Sequence, residues 1–120
     1  MAAALGEFEQ LILLAVVRLA DNAYGVRIRQ EIETRTGRAV SPGAIYTALD
    51  RLETRSLVRS RMGTATPERG GRRKKYYTVE PKGAAALQRA MRAMAQMAEG
   101  VEPRLAALRA RTFPAPERGR

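Results

Sequence analysis

The segment Leu5 to Ala20, LGEFEQLILLAVVRLA, restricts the folds open to this chain more than any other stretch of its 120 residues. It has helical character, and from Leu11 to Val17 it is apolar on every side. A helix that is apolar all round is buried, because a single packing partner leaves its opposite face in water. Two arrangements would bury it: the helix crosses the middle of a monomeric core, or a second subunit covers its far face. In so small a domain we favour the second subunit, with Leu11 and Leu14 facing the partner.

Two further helices are predicted from their start and stop signals. Tyr24 opens a helix that runs to about residue 36, where Gly37 follows as a stop. Ser41 and Pro42 then form a start signal, because serine caps the first amides of a helix and proline suits its first position. The third helix therefore runs from this point to about Arg55.

The third helix has two different faces. Ile45, Leu49 and Leu52 are spaced four and three residues apart, so they are predicted to enter the core. The other face presents small and polar residues: Gly43, Tyr46, Thr47, Asp50 and Arg51.

A β-hairpin is predicted after the third helix. LVRSRMG at 57–63 and RRKKYYTV at 72–79 have strand character, and the TATPERGG stretch between them is rich in turn formers. By alternation Tyr77 and Val79 point inward, whereas Lys74, Tyr76 and Thr78 lie on the opposite face. The second strand begins in an unbroken basic run: Arg72, Arg73, Lys74 and Lys75. A strand holds these charges at a fixed distance from the third helix, which a disordered tail does not.

The positive charge is concentrated in this part of the chain. The formal net charge is +10, and residues 51–82 contribute +7 from ten basic and three acidic side chains. This patch predicts a polyanionic partner, either nucleic acid or an anionic membrane surface.

The composition excludes several classes of chemistry. The chain has no cysteine and no histidine, so disulfides, Cys/His metal sites and Cys/His or Ser/His/Asp catalysis are ruled out. A metal site or an acid/base pair made of carboxylates alone is still possible. However, the acidic residues lie within predicted helices and show no spacing that would bring them together. The N-terminal segment lacks the basic region of a signal peptide, and no apolar run approaches the roughly 18 to 20 residues that span a bilayer. We therefore expect a cytoplasmic protein that is not an enzyme and uses no cofactor or metal.

A long helix with one apolar seam is predicted from Pro81 to about residue 111. The seam positions alternate in steps of four and three residues: Leu87, Met91, Met94, Ala98, Val101, Leu105 and Leu108. This heptad spacing indicates a coiled-coil-like contact, either with the chain's own domain or, as we favour, with a second subunit. Gly100 and Pro103 predict a kink or break. Residues 112–120 are expected to be disordered.

Three methionines near this seam permit two interpretations. Met91, Met94 and Met97 would be able to repack around a hydrophobic small-molecule effector, because methionine is flexible and polarisable. Alternatively, they only fill the core.

The order of helix, helix, capped helix and basic hairpin is that of a winged helix-turn-helix, a mainly α fold with a small β-hairpin. In this fold the third helix enters the major groove, where base edges present distinct donors and acceptors, and the hairpin lies along the phosphate backbone. We therefore predict binding to double-stranded DNA. The alternative is an interaction module for a protein or RNA partner, and its protein-binding form would need an exposed apolar patch on the third helix.

Four segments of the chain resemble the PadR-type transcriptional regulators: LGEFEQLILLAVVRL, AYGVRIRQEIE, VSPGAIYTALDRLETRSLV and GRRKKYYTVEPKG. The resemblance extends over roughly residues 5–110. The resemblance implies a DNA-binding domain over 5–80, a C-terminal dimerisation helix over 81–111, and a homodimeric repressor whose C-terminal helix contacts the partner's N-terminal helix. Such a dimer is expected to bind a pseudo-palindromic operator with half-sites about 34 Å apart.

The resemblance also implies which residues bind DNA. Tyr24 would touch the backbone; Ser41, Pro42, Gly43, Tyr46, Thr47 and Arg51 would lie at or near the major groove; and Arg72, Arg73, Lys74 and Lys75 would belong to the wing. Ser56 departs from the family, which often has glycine where the third helix ends. Serine there must accept the turn at some strain.

Overall fold

The computed structural model describes residues 4–64 and 73–112, and the chain consists of two compact units, Met1–Ala90 and Met91–Arg120. The described part is mainly helical, with one two-stranded antiparallel sheet. Its elements in chain order are α1 (Glu7–Leu19), a 3-10 turn (Ala20–Asn22), α2 (Gly25–Thr36), α3 (Pro42–Thr54), β1 (Val58–Met62), β2 (Lys75–Val79), α4 (Pro81–Ala98) and α5 (Glu102–Thr112). This order confirms the predicted winged helix-turn-helix.

The first helix, α1, supplies a large share of the core. The Glu9 carboxylate accepts a hydrogen bond from the Gly6 amide at 2.9 Å, which closes the N-terminal turn. One side of the helix is buried, through Ile12, Leu13, Ala15 and Val16. Leu11 and Leu14 are partly buried, and Val17 is 56 % exposed. A single chain therefore covers this apolar helix only in part.

The second helix, α2, begins and ends as its sequence predicts. Tyr24 precedes its first residue, and Ile28 and Ile32 are buried in the core. At the other end Gly37 has a φ of 72°, and its amide donates to the Glu33 carbonyl oxygen at 2.9 Å. Glycine suits this left-handed position because it has no Cβ atom.

The third helix, α3, starts at the predicted cap. The Ser41 Oγ atom accepts a hydrogen bond from the Ala44 amide at 3.1 Å, and Pro42 occupies the first helical position. The buried stripe of the helix consists of Ile45, Ala48, Leu49 and Leu52.

A left-handed turn at Ser56 connects α3 to the hairpin. Its φ is 64°, as expected where the family often has glycine, and such a conformation costs roughly 1–3 kcal/mol in a residue with a side chain. Two backbone hydrogen bonds hold the turn. The Leu57 amide donates to the Leu52 carbonyl oxygen, and the Glu80 amide donates to the Leu57 carbonyl oxygen, both at 2.9 Å.

The two strands form the predicted hairpin. Val58 lies opposite Val79, and Ser60 lies opposite Tyr77. Tyr77 is 2 % exposed and Val79 packs against the core, so the predicted inward face is confirmed. The Tyr77 amide also donates to the Ala23 carbonyl oxygen at 2.8 Å. This bond ties β2 to the residues before α2.

The first turns of α4 belong to the same core. A Cβ atom at Gly83 would lie 2.1 Å from the Leu57 carbonyl oxygen, so the helix packs directly on that backbone. Leu87, one turn later, is 6 % exposed within the core cluster. Leu87, the first position of the predicted seam, therefore packs in the core of its own chain.

The predicted interruption of the C-terminal helix is present. Gly100 has a φ of 75°, and Pro103 lies in the first turn of α5. The break divides the predicted C-terminal helix into α4 and α5. The large apolar side chains along them are 36 % to 79 % exposed: Met91, Met94, Met97, Val101, Leu105 and Leu108. Ala98 is exposed as well.

We expect Gly83→Ala to lower the free energy of unfolding by roughly 2 kcal/mol, because an added methyl group must displace backbone. Gly43→Ala is the matched control. Gly43 also lies in the first turn of a helix that begins with proline, and a Cβ atom there meets nothing within 4 Å. Urea denaturation followed by circular dichroism measures both changes. Equal unfolding midpoints for the two variants would contradict this packing.

Candidate nucleic-acid interface

The exposed face of α3 is small and polar. It lies opposite the buried stripe and presents the predicted residues Gly43, Tyr46, Thr47, Asp50 and Arg51, with Ser41 and Pro42 exposed at its start. Part of this face lines a shallow open groove together with the first turn of α1, formed by Glu9, Thr47, Asp50, Arg51, Thr54 and Arg55. The side chains of this surface offer hydrogen-bond donors and acceptors, from hydroxyl, carboxylate and guanidinium groups.

Tyr46 connects this face to α2. A Cβ atom at Gly25 would lie 2.5 Å from the Cζ atom of the Tyr46 ring, so the ring lies directly on the Gly25 backbone. A larger residue at position 25 would displace the ring. The absence of a side chain at Gly25 therefore leaves room for the Tyr46 ring, which stays 45 % exposed.

Tyr24, next to Gly25, contacts the hairpin. Its backbone forms a β-bridge with Tyr76, and the two rings pack edge to face with centroids 5.5 Å apart. A cation lies over each ring: the Lys74 ammonium is 4.4 Å from the Tyr24 centroid, and the Arg61 guanidinium is 4.7 Å from the Tyr76 centroid. Such contacts are attractive because the ring face is negative. We call these four residues the tyrosine–cation cluster.

The basic side chains of the hairpin divide into paired and unpaired groups. Lys75 lies on the inward face and contacts the Glu53 carboxylate at 3.7 Å, while Arg59 contacts Glu80 at 2.8 Å. Glu53 also accepts a hydrogen bond from the Ser60 hydroxyl at 2.6 Å. Within residues 4–64 and 73–112, no ion pair is formed by Arg51, Arg61, Arg73 or Lys74.

The predicted basic run is thus not one uniform patch. Arg73 and Lys74 retain a free charge, whereas the charge of Lys75 is offset by Glu53. Arg72 lies outside the described residues. Arg61 and Tyr76 join Tyr24 and Lys74 in the tyrosine–cation cluster, although neither was among the residues predicted from the sequence to bind DNA. Strand alternation already placed Tyr76 on the outward face of β2, and Arg61 is its partner across the hairpin.

Tyr77 is a buried tyrosine of the core whose hydroxyl stays uncharged. Burial, as the largest cause, and the neighbouring carboxylates of Glu53 and Asp50 together raise the pKa of its hydroxyl to about 12. The phenol therefore stays protonated at neutral pH and places no charge in the core.

In the part of the chain that the structure describes, no cluster of acidic residues could hold a metal ion, and no helix could cross a membrane.

Comparison with known proteins places this geometry in a family. Residues 13–89 match the Transcriptional regulator PadR-like family. The transcriptional regulator Rv3488 of Mycobacterium tuberculosis is 37 % identical over 83 residues, which span 68 % of this chain and 73 % of that protein.

Two solved structures share the fold. A PadR-like transcriptional regulator (BC4206) from Bacillus cereus is similar with a TM-score of 0.68 and 22 % identity, over 82 % of this chain and 90 % of that one. A PadR family transcriptional regulator from Eggerthella lenta is similar with a TM-score of 0.63 and 23 % identity, over 82 % and 86 % of the two chains.

The structural similarities support the winged-helix fold, and the match over residues 13–89 identifies the family. Because its members are transcriptional regulators, the prediction that this chain is not an enzyme is confirmed. The chain belongs to the PadR-like family of transcriptional regulators.

Proposed function

We propose that this chain acts in the cytoplasm as a homodimeric repressor that binds a pseudo-palindromic operator in double-stranded DNA. In each half-site α3 enters the major groove and contacts base edges. The wing, defined here as β1, β2 and residues 73–74, follows the flanking phosphates. Repression is the direction of control that the family resemblance implies.

The observation that carries this proposal is the continuous line of contacts from α3 to the wing. Tyr46 lies on Gly25, the adjacent Tyr24 meets the ring of Tyr76, and Lys74 lies over Tyr24. These contacts give the base-reading helix and the phosphate-binding cations a constant spacing. A protein needs such a spacing to sit in one register on a duplex, because phosphate contacts position it and base contacts specify the sequence.

The distribution of charge supports the same assignment. Arg51 lies on the face of α3 that would enter the groove, and Arg61, Arg73 and Lys74 lie on the wing. Since these four side chains form no ion pair among the residues described, their charges are available to phosphates or base edges. Each phosphate that a cation neutralises releases counterions, which makes binding strong and dependent on salt.

The surface of α3 gives less support to a protein-binding module. Docking of a protein on this helix would need a contiguous apolar patch. The exposed positions hold small or polar side chains, Ala44 among them, apart from Pro42 and Tyr46.

Dimerisation is supported by exposed apolar side chains. Val17 of α1 is 56 % exposed, and Met94 and Leu105 are 66 % and 52 % exposed. Exposed apolar side chains at heptad spacing favour association with a second copy. The exposed Met91, Met94 and Met97 would also offer a flexible surface to a hydrophobic small-molecule effector that releases the operator.

Lys74→Ala is expected to weaken binding to every duplex and to reduce the slope of log K against log salt by about 0.9, because one phosphate contact is lost. Lys75→Ala is the matched control. It removes the same charge one residue away, but from an ammonium that Glu53 already offsets, so we expect less than half of this change. Anisotropy titrations of a labelled duplex at several salt concentrations measure the slope. Equal losses in both variants would contradict the distinction between free and paired cations.

Tyr46→Ala and Thr47→Ala are expected to reduce discrimination between operator and scrambled DNA, each by roughly 1–3 kcal/mol, because α3 contacts the base edges. Labelled duplex from the region upstream of the protein's own gene is compared with a scramble of equal length and composition. In the wild type the upstream duplex should bind more tightly, and Lys74→Ala should keep that ratio. A changed ratio in Lys74→Ala with an unchanged ratio in the helix variants would reverse the roles assigned to α3 and the wing.

Met94→Lys is expected to weaken dimerisation at least about a hundredfold, because burying an unpaired ammonium in an interface costs several kcal/mol. Gln96→Lys adds the same charge to α4 outside the apolar seam and serves as the control. Light scattering after size exclusion should give twice the 13.2 kDa chain mass for the wild type and the control. A wild type that elutes as a monomer at micromolar concentration would contradict the proposed dimer.

A further inference from the structure

Asp50 is one of two carboxylates in the described part of the winged-helix unit that form no ion pair and no side-chain hydrogen bond there. Eight acidic residues lie in the described part of Met1–Ala90, and six of them form ion pairs: Glu7, Glu9, Glu31, Glu33, Glu53 and Glu80. Asp21 and Asp50 form neither an ion pair nor a side-chain hydrogen bond with any residue that the structure describes. Asp50 thus places a carboxylate without an ion-pair partner among the described residues on the surface proposed to meet a polyanion.

Asp50 also lies near the centre of the exposed face of α3. At about 100° per residue its direction is about 150° from the centre of the buried stripe. Tyr46 lies on one side of it and Arg51 on the other, and it shares the open groove with Thr47 and Thr54. A duplex that receives α3 in its major groove therefore meets the Asp50 carboxylate.

An ionised carboxylate can only accept hydrogen bonds, so it needs a donor from the DNA. The donors on the major-groove edges are the exocyclic amines of cytosine and adenine, whereas guanine and thymine offer acceptors. Adenine presents its amine beside the N7 acceptor, which would repel the second carboxylate oxygen. Cytosine presents its N4 amine without an acceptor on the same base. The partner that best fits Asp50 is therefore cytosine.

We propose that Asp50 is a specificity-determining residue that accepts a hydrogen bond from the N4 amine of a cytosine in each operator half-site. This inference rests on the proposed function, and it adds the identity of one base. The repulsion between Asp50 and the phosphates penalises every site that lacks the donor. The carboxylate therefore lowers non-specific affinity as well as selecting the base.

The test is selection of binding sites from a random duplex pool by the full chain, followed by sequencing. The wild type is expected to enrich a pseudo-palindrome with cytosine at one position in each half-site. Asp50→Asn is expected to enrich adenine at that position, because an asparagine amide pairs with adenine N6 and N7. In competition titrations its preference for cytosine over adenine should fall by roughly ten- to a hundredfold.

Asp21→Asn is the matched control, because it removes the same charge from the other unpartnered carboxylate, in the turn Ala20–Asn22. It should keep the base preferences of the wild type. If the wild type and Asp50→Asn enriched identical sites while both Asn variants bound all DNA more tightly, Asp50 would be a repulsive charge only and the inference would be overturned. A wild type that enriches no sequence would overturn the proposed function itself.

Discussion

The hydrogen bond from the Tyr77 amide to the Ala23 carbonyl oxygen is the constraint on which the arrangement of this winged helix depends. It fixes β2 against the residues that lead into α2. Because successive side chains of a strand point to opposite sides, fixing Tyr77 in the core also fixes Tyr76 on the outside. Tyr76 then meets Tyr24, and the wing acquires a defined position beside the helices. A hairpin of two strands is marginal by itself, so this anchoring also stabilises the sheet.

The same alternation sorts the charges of the wing. Lys75 shares the inward face with Tyr77 and contacts Glu53 of α3. Lys74 lies on the opposite face, over the Tyr24 ring in the tyrosine–cation cluster. Charge offset by a neighbouring carboxylate adds little to the attraction of a polyanion, and free charge adds most. The net charge of the basic run therefore overstates the number of side chains available to phosphates. Burial and pairing, rather than composition, set that number.

The apolar side chains also fall into two groups: some are buried within one chain, and others stay exposed, where the proposed partner would cover them. Leu87 completes the core of its own chain, while the later positions of the heptad seam, such as Met94 and Leu105, stay exposed. On α1 the buried side and the exposed Val17 show the same division. Membership in the PadR-like family accounts for the winged-helix domain. The exposed positions are where a second copy would contribute to stability, since a short chain buries a small core.

Local sequence determined the elements and their ends. Gly37, Ser41 and Pro42 act through their own backbone and nearest amides, so the boundaries they predict agree with the structure. Strand alternation likewise placed Tyr77 inward. Tertiary structure alone decided that Lys75 is paired, that Leu87 lies in the core, and that Tyr46 lies on Gly25. Caps and periodicity act over three or four residues along the chain. Ion pairs and packing depend instead on distances in space between residues far apart in sequence.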